Sequence, residues 1–217
     1  MHKVYLNGSS GKMGQSVIKL ITESSNFINI EDSISAADIV IDFSHPSSTS
    51  KILEQCIDNK KPIVIGTTGF KIEQIDKIHN ASNIIPVLLA ANMSIGVNNL
   101  KESVKLFLDK NLEDLHCLIE ESHHTEKKDK PSGTAIELNH FVEAADRNQK
   151  IKSIETISNR AKNVFGIHKI LFYNNTKEIF FKHEALSRKC FAQGALVSAQ
   201  AISNYKPGIY KFSDILN

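Results

Sequence analysis

Apolar and polar residues fall in blocks along the first third of the chain. A short apolar run at residues 3–7 ends in a glycine-rich turn, and Met13, Val17, Ile18 and Ile21 then recur at helical spacing. The β-branched run Ile39-Val40-Ile41 within residues 38–43 predicts a buried strand. Residues 47–59 predict a helix with Ile52, Leu53, Cys56 and Ile57 along one face, and strands at 62–66 and 85–90 flank a further helix at 72–79. Such strand–helix alternation predicts a parallel sheet with helices on both faces, because parallel strands need crossover connections.

The pattern changes near Ser94. An amphipathic helix over 97–108 leads into a strand at 115–120, a polar loop, and a second helix starting near Thr134. Three strand-like runs follow at 154–158, 167–173 and 177–183, joined by short turns, which predicts a mostly antiparallel or mixed sheet. Residues 188–203 close as a helix with Phe191, Ala195, Leu196 and Ala199 at helical spacing. The expected architecture is α/β. A Rossmann-type parallel-sheet domain takes residues 1–94 and 204–217, and an α+β domain with an open mixed sheet takes 95–203.

Composition narrows the function classes. A chain of 217 residues with 41 % hydrophobic and 23 % charged residues is neither disordered nor a disulfide scaffold. Its formal charge of +2, absent Trp and 7 % aromatic content supply neither a basic stripe nor a stacking array, so no nucleic-acid partner is expected. No run approaches the ~18 apolar residues of a membrane span. The scattered Cys56, Cys117 and Cys190 form no CxxC pair and suit a reducing compartment, so a cytoplasmic location is expected.

Candidate chemistry lies at the ends of the predicted strands. Gly8-Ser9-Ser10-Gly11-Lys12-Met13-Gly14 joins the first strand to the first helix as GxxGxxG, a variant of the dinucleotide fingerprint. Glycine there permits a tight turn and close approach of a pyrophosphate to helix N–H groups. Gly66-Thr67-Thr68-Gly69 and Ala90-Ala91-Asn92-Met93 also follow strands of the parallel sheet, as binding loops or as plain turns and caps. Glu31 or Asp32 stands where a ribose-binding acid is expected, or is a solvated loop carboxylate, so neither NADH nor NADPH is declared.

The richest segment is His123-His124-Thr125-Glu126-Lys127-Lys128-Asp129-Lys130-Pro131-Ser132-Gly133-Thr134-Ala135. Ser132 and Thr134 are N-cap types, and the free N–H groups of a helix start hold carboxylates or phosphates. Upstream cations clamp the same anion or donate a proton, or else form only a solvated loop. Adjacent histidines point apart on a strand and the cysteines lack ligand spacing, so no metal is expected. His168 and His183 are expected to be satisfied structural histidines, and Arg160 and Arg188 structural or interface residues.

These residues resemble the 4-hydroxy-tetrahydrodipicolinate reductase (dihydrodipicolinate reductase) family of bacterial diaminopimelate and lysine synthesis. The likeness runs through the Gly8–Gly14 loop, Val40-Ile41-Asp42-Phe43-Ser44, the Gly66 and Asn92 loops and the 121–135 segment. It continues through Arg160, Gly166-Ile167-His168, the 183–188 stretch and residues 191–196, in the family's order over nearly the whole chain. The resemblance implies NADH or NADPH at Gly8 to Met13, Gly66 to Thr68 and Ala90 to Met93. It implies His123 as proton donor or acceptor, Lys127 as proton donor, and a small dicarboxylate substrate held by His124, Lys127, Ser132, Gly133 and Thr134. It also implies that the second domain binds substrate and builds a homotetramer through its open sheet. Two departures stand out. The stretch between Gly14 and Asp38 is short, so the second strand is expected to be reduced or missing, and Lys162 replaces a glycine of the family pattern before Gly166.

Overall fold

Ile39, Val40, Ile41, Ile63, Val64 and Ile65 expose no surface at all. Strands apolar on both faces belong in the middle of a parallel sheet covered by helices on each side. In the computed structural model, which describes residues 1–216, that sheet holds β1 (His2–Asn7), β2 (Phe27–Ile30), β3 (Ile39–Asp42), β4 (Ile63–Ile65), β5 (Pro86–Leu89) and β10 (Gly208–Tyr210). All its pairings are parallel, in the order β10-β5-β4-β3-β1-β2.

Alternate strand residues feed two cores. Ile39, Ile41 and Val64 pack with Val17 and Ile21 of α1 (Lys12–Thr22) and with Ala192, Ala195 and Ala199 of α6 (Lys189–Ile202). Val40, Ile63 and Ile65 pack on the other face with Leu53 and Cys56 of α2 (Pro46–Asp58) and Ile78 of α3 (Ile72–Ser82).

One expectation needs correction, and another, a second strand reduced or missing, resolves to a strand reduced to four residues. β2 is present, because Phe27 and its neighbours pair with His2 to Tyr5 and Phe27 closes over the first core. Four residues with one buried anchor make too weak a period to read from sequence. The second boundary moves. The chain divides into residues 1–93 with the stretch from Arg188 onward, and Ser94–Ser187. Helix α6 therefore belongs with the parallel sheet, since its alanine face lets it lie close against that core. At Gly194 a Cβ would overlap the Met93 carbonyl, so only glycine permits that approach.

The second unit holds α4 (Ile95–Lys110), β6 (Leu115–His123), α5 (Gly133–Ala145), β7 (Ile151–Arg160), β8 (Gly166–Tyr173) and β9 (Glu178–Ala185). Its sheet runs β7-β6-β8-β9, with β6–β7 parallel and the other pairs antiparallel, so it is mixed. Leu100, Val104, Leu138 and Val142 of α4 and α5 cover Cys117, Ile119, Ile170 and Phe172 on one face. Strand alternation turns Leu118, Ile157, Leu171 and Phe180 to the opposite face, where Ile157 and Phe180 are exposed. Among the described residues no helix is long and apolar enough to cross a membrane.

Candidate active site

The strand order places a switch point between β1 and β3, whose crossovers leave in opposite directions. Gly8 follows β1 there with φ +85°, and its carbonyl accepts the N–H of Gly11 at 3.0 Å. A Cβ at Gly8 would lie 2.2 Å from the Phe43 carbonyl oxygen, and one at Gly14 2.2 Å from the Gly8 oxygen. Backbone, not side chain, therefore lines this turn. Gly11 is the N-cap of α1 and supplies no side-chain cap, and the first turn of α1 carries no acid. The N–H end of that helix suits an anion. Ser9, Ser10, Gly11 and Lys12 are exposed around it, and Met13 is half-buried.

The neighbouring strand ends carry the other expected loops. Gly66 and Thr67 follow β4, where Gly66 lies flat against the Phe43 ring and Thr68 is exposed. Ala90 to Met93 follow β5; Ala91 is exposed, while the Met93 side chain is sunk in the first core. Sequence reasoning missed what ties these loops together. Asp42, wholly buried at the end of β3, accepts Asn7 Nδ2 at 2.7 Å and the hydroxyls of Ser44, Thr49 and Thr67. The Ser44 N–H in turn donates to Thr67 Oγ1 at 2.9 Å. One carboxylate so fixes the ends of β1, β3 and β4, and the only sequence signal was an acid closing an otherwise apolar strand.

In the second unit, alternation along β6 turns Glu121 and His123 inward. Glu121 is wholly buried. Its Oε1 accepts the Ser132 N–H at 3.1 Å and the two terminal guanidinium nitrogens of Arg160 at 3.2 and 3.3 Å. Its Oε2 lies 2.7 Å from His123 Nδ1. Burial alone would raise the Glu121 carboxyl, but hydrogen bonds from Ser132 and Ser158 and the neighbouring His123 outweigh it and bring it down to about 2.

Burial pulls His123 below the ordinary histidine value. Glu121 raises it in part, and the Lys127 and Arg160 cations lower it further. His168 meets the His123 ring edge-on, with centroids 5.1 Å apart. Both its ring nitrogens are buried without a hydrogen-bond partner, so it is not the satisfied structural histidine expected. Burial, then His123, drive it down to about 3. His183 does take a partner, with Nε2 3.2 Å from Ser94 Oγ at the start of α4.

Glu121, His123 and His168 bring one ligand-type atom each within 4.8 Å of one another. The carboxylate already neutralises the Arg160 guanidinium and takes the Ser132 N–H, so little negative charge is left for a cation. The arrangement suits handling a proton better than holding a metal.

The loop beyond His123 is pinned from below. Arg160 donates to the Lys127 carbonyl at 3.3 Å and to the Asp129 carbonyl. That gives Arg160 a place in the site that its sequence context did not reveal. Lys127 Nζ contacts Asp129 Oδ2 at 2.8 Å, and His124 is half-buried just past the strand. Ser132 is the N-cap of α5, its Oγ accepting the Ala135 N–H at 3.2 Å, so its side chain and N–H both serve the fold. Gly133 and Thr134 open the helix beside it. His123, Lys127 and the α5 N-terminus thus share one short loop that Glu121 and Arg160 hold. In the nearby turn Asn163, beside Lys162, takes the left-handed conformation (φ 61°), a region that asparagine tolerates.

Known proteins match along the whole chain. The family model described as dihydrodipicolinate reductase, N-terminus, matches residues 27–93, and its C-terminal counterpart matches residues 96–216. A 4-hydroxy-tetrahydrodipicolinate reductase of Bdellovibrio bacteriovorus is 36 % identical over 99 % of this chain and 96 % of its own length. One from Clostridium novyi is 34 % identical over 100 % of this chain and 98 % of its own length. The solved structure of dipicolinate-bound dihydrodipicolinate reductase from Paenisporosarcina sp. TG-14 shares the fold with a TM-score of 0.76 at 20 % identity, covering 97 % of both chains.

Proposed function

Because the chain belongs to the dihydrodipicolinate reductase family, we propose that it reduces 4-hydroxy-tetrahydrodipicolinate to tetrahydrodipicolinate with loss of water, in diaminopimelate and lysine synthesis. The family uses a nicotinamide dinucleotide, which when bound supplies the hydride. The glycine cradle at Gly8 and Gly14 and the uncapped start of α1 fit its pyrophosphate, with the Gly66 to Thr68 and Ala90 to Met93 loops beside it.

The observation that carries the reading is the loop from His123 to Thr134, which combines a buried imidazole, a lysine and a helix N-terminus. A dicarboxylate needs fixed donors, and Lys127, His124 and the backbone of Gly133 and Thr134 supply them. Departure of the hydroxyl as water needs a proton, for which His123 and Lys127 are the available acids. A positioned acid is worth about 10²–10⁴-fold in rate, and holding two reactants in attack geometry roughly 7–11 kcal/mol, so positioning carries the larger share.

A homotetramer is part of the same proposal, supported by the uncovered face of the four-stranded sheet around Leu118, Ile157, Leu171 and Phe180. A cytoplasmic location is proposed with it, since all three cysteines are free thiols. The test is a coupled assay in which dihydrodipicolinate synthase makes the unstable substrate in place and loss of reduced-nicotinamide absorbance is followed, with NADH and NADPH separately. Oxidation that depends on the synthase product is expected. Its absence from folded protein would redirect the reading to a dinucleotide sensor or to a reductase of another small carboxylate.

A further inference from the structure

We propose that Glu121 is the positioning residue for His123, fixing which imidazole nitrogen carries the proton and which faces the reacting groups. The inference rests on the reading of His123 as a proton-transfer group.

The geometry gives the two imidazole nitrogens different neighbours. Nδ1 lies 2.7 Å from Glu121 Oε2, with the ring turned off the line of a full hydrogen bond; two bare acceptors would repel at that distance, and an ionised carboxylate can only accept, so Nδ1 carries the hydrogen. Nε2 lies on the side of Gly166, where an added Cβ would stand 3.3 Å away, so this glycine keeps that edge of the ring clear. Nε2 is therefore the nitrogen left to exchange a proton.

Glu121 itself cannot swing. Arg160 and the Ser132 N–H hold Oε1, and both anchors sit in rigid elements, at the end of β7 and the N-cap of α5. The charged groups facing His123 are Glu121 on its own strand, Arg160 on β7, and Lys127 on the loop with its partner Asp129. His168 on β8 meets it as a neutral ring. Glu121 is the only carboxylate among those groups that touches the imidazole, and so the one that stabilises an imidazolium. This is the logic of an acid–base histidine oriented by a buried carboxylate, which recurs on unrelated folds.

The test is Glu121→Gln, in which the amide oxygen still accepts from Ser132 and Arg160 while the amide nitrogen turns to His123 Nδ1. The imidazole must then accept at Nδ1 and move its hydrogen to Nε2. Nitrogen-15 NMR of the histidine-labelled full chain is expected to report Nδ1–H for His123 in the wild type and Nε2–H in the variant. In the coupled assay kcat should fall roughly 10²–10⁴-fold, KM for the dinucleotide should stay level, and the alkaline limb of the pH profile should move to lower pH. A wild-type His123 protonated at Nε2 overturns the proposal even if the variant fails to fold. So does a variant that loses kcat with tautomer and pH profile unmoved, since Glu121 would then be only loop support. Wild-type protein that turns over no substrate while NMR reports Nδ1–H would instead overturn the assigned reaction and leave the Glu121–His123 relationship standing.

Discussion

Asp129 Oδ2 lies 2.8 Å from Lys127 Nζ, and the same carboxylate takes the Gly133 N–H at the start of α5. An internal carboxylate thus occupies the donors assigned to the substrate's carboxylate. Burial would raise the Asp129 carboxyl, but Lys127 and Gly133 bring it below the ordinary value, so it remains charged and in competition at neutral pH.

Asp129→Asn keeps the shape and weakens the hold. Charge-assisted hydrogen bonds exceed neutral ones by roughly 1 kcal/mol, an upper figure for a half-exposed group. KM for the dicarboxylate should fall, by about fivefold at most, with kcat little changed. Steady-state kinetics decide it, and a rise in KM would mean that Asp129 organises the loop rather than blocking it.

His168 predicts a specific acid sensitivity. Its folded value is depressed from 6.5 to about 3, burial being the main cause, so the unfolded chain takes up a proton that the folded chain refuses. The stability it contributes is complete above pH 6.5 and is lost as pH falls from there toward 3. At about 1.4 kcal/mol per pH unit, the total reaches a few kcal/mol, a large share of ordinary domain stability. Glu121 adds a second loss below 4.5, because its folded value near 2 is also depressed. His168→Leu should flatten the decline of Tm between pH 6.5 and 4.5; an unchanged slope would acquit His168.

Both results bear on what the sequence made legible. The parallel sheet was readable because its strands are β-branched runs bounded by glycine turns. The 121–135 loop stood out because two histidines, lysines and a helix start fall together. Glu121 and Arg160 were not readable as partners, since they lie 39 residues apart and meet only through β6–β7 pairing. Asp42 hid for the same reason, because its partners Asn7 and Thr67 lie 35 and 25 residues away. Side-chain networks are properties of register, and one strand read alone carries no register.

Gly14→Ala tests the dinucleotide cradle. The added methyl would meet the Gly8 oxygen at 2.2 Å and the Ser9 Cα at 2.8 Å, both backbone atoms, so the turn itself must shift. Such overpacking costs about 1–3 kcal/mol. Calorimetry should show dinucleotide affinity weakened about tenfold or more, with the fold of the Ser94–Ser187 unit unaffected. Undiminished affinity would place the pyrophosphate elsewhere.

The end of β2 carries a prediction about NADH against NADPH. Glu31 and Asp32 follow this strand, and residues 24–37 contain no Lys or Arg to receive a 2′-phosphate. Asn29 Nδ2 donates to Glu31 Oε1 at 3.1 Å, which steadies that carboxylate. A ribose 2′-hydroxyl suits an acid there and a phosphate is repelled. NADH should therefore exceed NADPH in kcat/KM by about tenfold or more, since juxtaposed like charges cost over 1 kcal/mol. A ratio near one would show that neither acid reaches the ribose.

Phe180 tests the assembly. It stands 60 % exposed on β9 opposite Leu171, with Lys169 Nζ 5.5 Å over its ring. Lys169 is paired with Glu120 at 2.8 Å, which leaves the aromatic and aliphatic side chains as the unsatisfied part of the face. A monomer gains nothing from such a patch, whereas two copies facing each other would bury it. Phe180→Asp adds a charge on the edge strand of that surface and touches nothing in the core beneath. Sedimentation should show the wild type as a tetramer and the variant as smaller species with unchanged far-UV circular dichroism. A wild type that sediments as a monomer at micromolar concentration would refute the assembly, and a variant that stays tetrameric would move the interface off this sheet.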